Sequence, residues 1–458
     1  MPSARDQRLA TVDITEVIEA ARFSGFALRA AILCLLLLIL DGFDIQAVAF
    51  AAPALIKVWS IDRAVIGTVL LAGLIGLAVG AIGFGRFADR IGRKPALVIG
   101  TLLFSAGGFL CSTAHDVNEL VTYRFITGLG LGAPLPLATA LIAEIAPRRW
   151  RNALVGFALI GIPLGGLAGA GVAEVLVPRF GWPSIFQVGA LLPALLVPLL
   201  VFWLPESPKF LTRRPERFQQ LAEMLNRLTR SQKFQGTETF VVAEGESRQS
   251  AATLVRQPYL VATLLLWLAF FTNVLVVYVF FGWLPTVLST AGVPLALSLR
   301  GSLLFNLGGV VGALGASALL HILGSRRILV CLAVLAVIAT YFIGQSAIFV
   351  PGSAVLNTTP VFWCIAIAGV AINGVQISLY AVAAHTYPTV LRATGVGGAA
   401  AVARLGGIAS TIGGSALLKW GGSTATFFAV LACVLALTLL AVINLRLQIP
   451  LRSASKPV

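Results

Sequence analysis

Charge is scarce in this chain, and acidic residues are missing from its second half. Charged residues are 11% of the 458, whereas hydrophobic residues are 58% and the mean hydropathy is +0.94. Soluble globular domains have about 25% charged residues, so this composition excludes that class and favours an integral membrane protein. All 18 Asp and Glu lie at or before Glu246. The second half therefore cannot carry protons on a side-chain carboxylate.

The sequence lacks the residue patterns that several kinds of chemistry require. The five cysteines lie in apolar runs without CxxC spacing, which excludes a disulfide or zinc framework, and no G-x-x-x-x-G-K-[ST] loop is present for ATP. We therefore expect no metal and no cofactor. No nucleophile–histidine–acid set can be assembled at membrane depth, so we do not expect an enzyme. The net charge of +15 would suggest nucleic acid as a partner of a soluble protein, but membrane topology accounts for it here.

Long apolar runs are abundant. Twelve of them are bounded by charged residues or by Pro and Gly clusters, and each has about the twenty residues that a membrane-crossing helix needs. We predict an all-α integral membrane protein with twelve transmembrane helices. The predicted spans are 28–55, 64–84, 95–114, 120–143, 152–176, 183–204, 258–287, 298–322, 328–349, 360–384, 394–418 and 423–445.

The basic residues predict the orientation. With the amino terminus inside, the outward segments hold only Lys57, Arg63, Arg179, Arg300 and Lys419 of the 33 Lys and Arg. Basic residues concentrate in cytoplasmic loops, so we place both termini in the cytoplasm and the chain in the inner (plasma) membrane, with its basic face against anionic lipid. The mixed charges before the first run fit an uncleaved span better than a signal peptide.

The chain divides into two similar halves. We predict a cytoplasmic segment 1–27, a six-helix bundle 28–204, a cytoplasmic linker 205–257, a second bundle 258–445 and a tail 446–458. In the linker, Phe218, Leu221, Leu225 and Leu228 recur at helical spacing, which predicts an amphipathic helix. Asp41, Pro53 and Gly92 align with Asn273, Pro285 and Gly324 at one constant offset. Such a repeat is typical of secondary transporters with a substrate site between the halves.

Asp41 and Asp44 lie in the middle of the first run. A carboxylate at a helix centre costs roughly 2.5–3.5 kcal/mol on insertion scales, so two of them need a polar cavity or a cation. A spacing of three puts both on one face of a helix. A proton or substrate pathway is our favoured interpretation, and a structural ion pair between helices is the alternative.

The stretch Gly85-Arg-Phe-Ala-Asp-Arg-Ile-Gly-Arg-Lys94 resembles the loop signature of the major facilitator superfamily, from which only Phe87 departs. Arg124-x3-Gly128-x-Gly130 and Gly161-x-Pro163 resemble two further motifs of that superfamily. The resemblance implies its twelve-helix fold with pseudo-symmetric halves. It also implies a latch of ion pairs, for which Glu144 is a partner of Arg90 or Arg93. A generic basic loop is the alternative, but it does not explain Asp89.

A narrower resemblance is to the aromatic acid:proton symporter family. It is carried by Asp41-Gly-Phe-Asp44, Ala52-Pro-Ala-Leu55, Gly282-Trp-Leu-Pro-Thr286 and Tyr387-Pro-Thr389. It implies a transporter that takes up small aromatic acids such as hydroxybenzoates or benzoate with protons, and we expect this protein to function as a monomer. A symporter of another organic anion, such as muconate or nicotinate, and a proton antiporter that exports hydrophobic compounds remain alternatives. A membrane sensor would need an output domain, for which the segment after Leu445 is short.

Three sets of site residues follow. Asp41, Asp44 and Arg124 are predicted to carry the coupling proton. Arg404, which lacks an acid in its own half, is predicted to bind the substrate carboxylate, with Asn273, Tyr278 and Gln376 around the ring. A permanent Asp41–Arg404 bridge is the alternative. The predicted gating residues are Asp89, Arg90, Arg93 and Glu144, with His321 and His385 at the equivalent positions of the second half as a pH-responsive mirror or as simple helix caps.

Overall fold

The computed structural model describes residues 11–242, 251–346, 359–420 and 423–445, which are almost entirely helical. The predicted tail, 446–458, lies outside these residues. Twelve helices in the described ranges are long and apolar enough to cross a membrane, so the predicted all-α fold of twelve spans is confirmed. Spans 1 to 12 are Gly25–Trp59, Val65–Ile91, Arg93–Ser112, Val117–Leu131 with Pro134–Ile145, Arg151–Leu159 with Gly161–Phe180, Pro183–Trp203, Leu260–Thr290, Leu295–Leu323, Ser325–Gly344, Thr359–Thr386, Thr389–Lys419 and Thr424–Asn444.

Two glycines set the same turn in both halves. Gly92 separates spans 2 and 3 with a φ of +109°, and Gly324 separates spans 8 and 9 with a φ of +77°. Side chains are strained in this region of backbone conformation, so glycine is the residue that lets two helices follow each other directly. The two positions are those paired by the sequence repeat. The repeat is therefore also present in the backbone.

The two halves pack their helices in the same order. Spans 1 and 5, 2 and 4, and 3 and 6 pack together in the first half, as do spans 7 and 11, 8 and 10, and 9 and 12 in the second. The halves meet through spans 1 and 7, 2 and 11, and 5 and 8. We call the end of the bundle that carries residues 85–94 and 205–242 the loop end, and the opposite end the far end.

The apolar cores show where the halves join. One core at the far end contains buried residues from both halves, for example Phe50 of span 1 and Phe280 of span 7. Toward the loop end there are two separate large cores, one built around span 1 and the other around the first part of span 7. Burial of apolar surface therefore holds the halves together at the far end and leaves them separate at the loop end.

A small cap covers the loop end of the first half. It consists of residues 11–20 and 205–242, which contain the strands Thr11–Asp13 and Thr239–Val241, the helices Ile14–Ala20, Pro208–Thr212 and Phe218–Thr229, and the 3-10 turn Pro215–Arg217. The strands pair in parallel, with Val12 opposite Phe240. The amphipathic helix buries Leu221, Leu225 and Leu228 in the core of the first half. A separate 3-10 turn, Ala251–Val255, packs on spans 7 and 11 of the second half.

Candidate functional site

A buried ion pair lies at the middle of the first half. Asp44 is near the centre of the 35-residue helix of span 1, and its Oδ2 accepts a hydrogen bond from Nη1 of Arg124 in span 4 at 2.9 Å. Nη2 of Arg124 donates to the backbone oxygen of Asp44 at 3.1 Å. Asp44 is 0% exposed and Arg124 is 3% exposed. Asp44 and Arg124, which were predicted together to carry the coupling proton, are therefore in direct contact.

The surroundings of the pair leave part of it unsatisfied. Oδ1 of Asp44 has no hydrogen-bond partner. The ring of Phe186 lies 6.0 Å from Cζ of Arg124, within the range of a cation–π contact. On span 3, Sγ of Cys111 lies 3.7 Å from Oγ1 of Thr127, next to the guanidinium. The carboxylate of such a pair can accept a proton on its spare oxygen, which neutralises it and weakens its hold on the guanidinium.

Asp41 is a second buried carboxylate one turn away. It is 2% exposed, and its Oδ1 has no partner. The hydroxyl of Tyr278 in span 7 lies within electrostatic range of both Asp41 and Arg404. In the described part of the chain no ion pair joins Asp41 to Arg404. This conformation therefore does not contain the permanent bridge between these two residues that was the alternative interpretation.

The other predicted substrate residues form a polar cluster in the second half. Nδ2 of Asn273 donates to Oε1 of Gln376 at 2.8 Å and to the backbone oxygen of Ile372 at 3.3 Å. Gln376 lies close to Tyr380, whose hydroxyl lies within electrostatic range of Arg404. Asn273 is 0% exposed.

A cavity lies between the halves, next to the ion pair. Its walls are mostly apolar, with Arg124, Tyr278, Ser410 and Thr411 as the polar side chains. Of the four predicted substrate residues, Tyr278 is in the wall, whereas Arg404, Asn273 and Gln376 are not. The lining residues are Ile45, Leu70, Gly73, Leu74, Leu77, Arg124, Leu131, Tyr278, Phe281, Gly282, Ser410 and Thr411.

The predicted latch residues lie at the loop end, and only some of them touch. Nε and Nη2 of Arg93 each donate to Oε1 of Glu144 at 3.2 Å. Asp89 and Arg90 are exposed, and neither takes part in an ion pair among the described residues. His385 is exposed as well, and the side chain of His321 lies outside what the structure describes.

Glu206 and Ser207 complete this network, and sequence analysis assigned them no role. Oε1 of Glu206 accepts hydrogen bonds from the backbone N–H groups of Arg93 at 2.7 Å and Lys94 at 3.3 Å, so it caps the start of span 3. The hydroxyl of Ser207 donates to Oε2 of Glu144. A lone acid between two prolines directly after a span was the available signal for Glu206.

Two buried amides were also missed. Gln46 of span 1 and Asn306 of span 8 exchange hydrogen bonds across the two halves. They could have been found as the aspartates were, because strongly polar residues within apolar runs are functional candidates by default.

Comparisons with known proteins agree with this arrangement. Residues 34–355 match the Major Facilitator Superfamily. The chain is 35% identical to the 4-hydroxybenzoate transporter PcaK of Pseudomonas putida over 416 residues, and this aligned segment covers 90% of each chain. It is 34% identical to the gallate transporter of the same species, again over 90% of each. The fold is similar to that of the xylose transporter XylE from E. coli, whose structure was solved in a partially occluded inward open conformation. The TM-score is 0.73 at 18% identity over 93% of this chain and 99% of that one. The chain is therefore a transporter rather than an enzyme, and it belongs to the aromatic acid transporters of the major facilitator superfamily.

Proposed function

We propose that this protein imports small aromatic carboxylates of the hydroxybenzoate type together with protons, as a monomer in the inner membrane. The observation that carries the proposal is the buried Asp44–Arg124 pair in contact with the cavity between the halves. The printed names of the relatives supply the class of substrate. The concentration of basic residues at the loop end supports a cytoplasmic position for that end and for both termini.

With this orientation, the conformation is open toward the cytoplasm and closed at the far, outer end. We propose that protonation of Asp44 releases Arg124 and that the halves then rock about the central cavity. Asp41 is the second proton carrier, because it is buried, partly unpartnered and near Tyr278. Arg93, Glu144 and the cap hold the loop end of the first half as one body, and Asp89 and Arg90 are free to engage the second half when that end closes. His321 and His385 are assigned to the mirror of this latch.

Arg404 is proposed to receive the carboxylate of the substrate. Its half offers no acid, and a planar guanidinium suits two-point contact with a carboxylate. Tyr278 lies beside it and lines the cavity, and Gln376 with Asn273 provides amide groups for a ring hydroxyl.

The test is uptake of labelled 4-hydroxybenzoate by cells that express the protein, in competition with unlabelled acids. We expect hydroxybenzoates and benzoate to compete, and the corresponding amides to compete at least tenfold less well, because a lost charge-assisted hydrogen bond costs about 1.5–3 kcal/mol. Uptake that every amide inhibits as strongly as its acid would contradict a carboxylate site.

A further inference from the structure

Gln46 and Asn306 form a direct link between the two halves. Within the described residues, theirs is the one such link in which both polar side chains are fully buried. Nε2 of Gln46 donates to Oδ1 of Asn306 at 3.1 Å, and Nδ2 of Asn306 donates back to Oε1 of Gln46 at 2.9 Å. The residues are 260 positions apart and each is 1% exposed. We call this reciprocal pair the amide clasp.

The neighbouring helices are shaped around the amide clasp. Gly166 of span 5 lies against it, and a Cβ atom at that position would collide with both amides. Nδ2 of Asn306 also donates to the backbone oxygen of Ser302 at 2.9 Å, which fixes the orientation of its side chain. The clasp therefore has a defined geometry rather than being two amides that happen to meet.

A second polar link stands farther out on the same seam. Arg300 of span 8 binds Glu174 of span 5 with Nη2 at 2.6 Å and Nε at 3.0 Å from Oε1. At 1.5 Å per residue, this ion pair is roughly 9–12 Å closer to the far end than the clasp. It is partly exposed, so solvent weakens it, whereas the clasp is shielded.

The internal repeat shows that the fold does not require such a clasp. At the offset that relates Asp41 to Asn273, the residues equivalent to Gln46 and Asn306 are Tyr278 and Leu74. Both of these line the central cavity. Of two seams related by pseudo-symmetry, one is therefore closed by amides and the other borders open space.

We propose that the amide clasp is the lock of the far gate, which favours the conformation closed at the far end. Gln46 and Asn306 belong to halves that must separate there during transport, so the clasp exists in only one of the two states. An interaction made in one state alone shifts the equilibrium by its own free energy. The proposal rests on alternating access and not on the identity of the substrate.

The test measures the far gate without substrate. Nitroxide labels are attached through Val58→Cys and Trp420→Cys, two exposed positions at the far ends of spans 1 and 11, after the five native cysteines are replaced. Pulsed electron–electron resonance in lipid nanodiscs then gives the distance distribution. We expect one short distance in the parent, and a longer population whose ratio to the short one rises roughly 5- to 30-fold in Gln46→Leu and Asn306→Leu.

Two further variants separate gating from loss of packing. Thr438→Val removes a buried hydrogen bond of 2.7 Å to Thr272 that lies wholly within the second half, and it should leave the distribution unchanged. Exchange of the two amides, Gln46→Asn with Asn306→Gln, should return the distribution toward the parent, whereas Gln46→Asn alone should not. The exchange series decides the question if the leucine variants do not fold. An unchanged distribution in the single variants, or an equal shift in Thr438→Val, would overturn the proposal.

Discussion

Asp44 and Arg124 form a buried ion pair, and it is costly to remove the charge of only one member of such a pair. Removing Asp44, or neutralising it with a proton, leaves the buried guanidinium uncompensated, at a cost of about 3–5 kcal/mol. The coupling account depends on this cost, because it drives Arg124 away from Asp44 once the carboxylate is protonated.

Replacement of either aspartate tests the coupling at this scale. We expect Asp44→Asn and Asp41→Asn each to abolish accumulation driven by a pH gradient, because an amide cannot bind and release a proton as a carboxyl group does. The measurement is the ratio of internal to external labelled substrate at steady state. Full accumulation by the double Asn variant would eliminate these residues as proton carriers.

Arg404 can be tested with matched ligands. Loss of one charge-assisted contact of about 1.5–3 kcal/mol predicts that Arg404→Ala weakens binding of 4-hydroxybenzoate roughly 10- to 150-fold and binding of 4-hydroxybenzamide far less. Isothermal titration of the purified protein gives both constants. Equal losses for the two ligands, or a large fall in the melting temperature of the empty protein, would instead favour a structural role.

At the scale of elements, the loop end of the first half is held by polar caps. Arg93 lies at the first position of span 3 and pairs with Glu144 at the end of span 4, while Glu206 caps span 3 from the segment after span 6. Three spans and the cap are thus tied at one point. They are expected to move as a unit.

Charge reversal tests the pair. Arg93→Glu should reduce uptake severalfold, because it places like charges next to each other, and Glu144→Arg in the same chain should restore part of the loss. The control is Arg86→Glu, which reverses an exposed charge of the same loop outside any ion pair of the described chain. Failure of the double reversal to exceed the single one would show that the contact does not matter for transport.

Glu206 should make the stability of the folded protein depend on pH in a predictable direction. Burial raises the pKa of its carboxyl above the ordinary value of 4.5, although three backbone N–H groups act in the opposite direction. The folded protein then binds this proton more tightly than the unfolded chain, so its stability should fall as pH rises from 4.5 through the raised pKa. Glu206→Gln keeps an acceptor oxygen and cannot titrate, so its melting temperature relative to the parent should rise over that interval and stay constant above it.

A truncated side chain supplies the comparison. Glu206→Ala removes the cap of span 3, so it should be about 1 kcal/mol less stable than Glu206→Gln at every pH. A Gln variant with the same pH profile as the parent would show that the carboxyl is not buried as described.

Sequence reasoning found the elements well and their partners less completely. Runs of apolar residues predicted all twelve spans, because length and hydropathy are local properties of the chain. Asp44 and Arg124 were predicted to belong to one site because both are charged residues within apolar runs. The parallel pairing of Thr11–Asp13 with Thr239–Val241 was not predicted, since three-residue strands far apart in sequence carry no periodic signal. The domain limits at 28, 205 and 258, and the roles of the site residues, stay predictions.

At the scale of the whole molecule, the structure shows which end of the helix bundle is closed, and no pattern in the sequence indicated this. Apolar burial joins the halves at the far end, and hydrogen bonds such as Ser415 Oγ to the backbone oxygen of Ala64, at 3.0 Å, lie on the same side. Both conformations of a transporter share one sequence, so the difference between them is a small free energy that hydropathy cannot reveal.

The central claim, proton-driven movement of an aromatic acid through the Asp44–Arg124 site, is tested most directly in proteoliposomes. Purified protein is reconstituted with labelled 4-hydroxybenzoate outside, and a pH gradient, acidic outside, is imposed at zero membrane potential. The account predicts transient accumulation above equilibrium that a protonophore abolishes. It predicts none for Asp44→Asn, even though that variant still binds the acid. Accumulation by Asp44→Asn equal to the parent, or uptake by the parent that ignores the gradient, would contradict it.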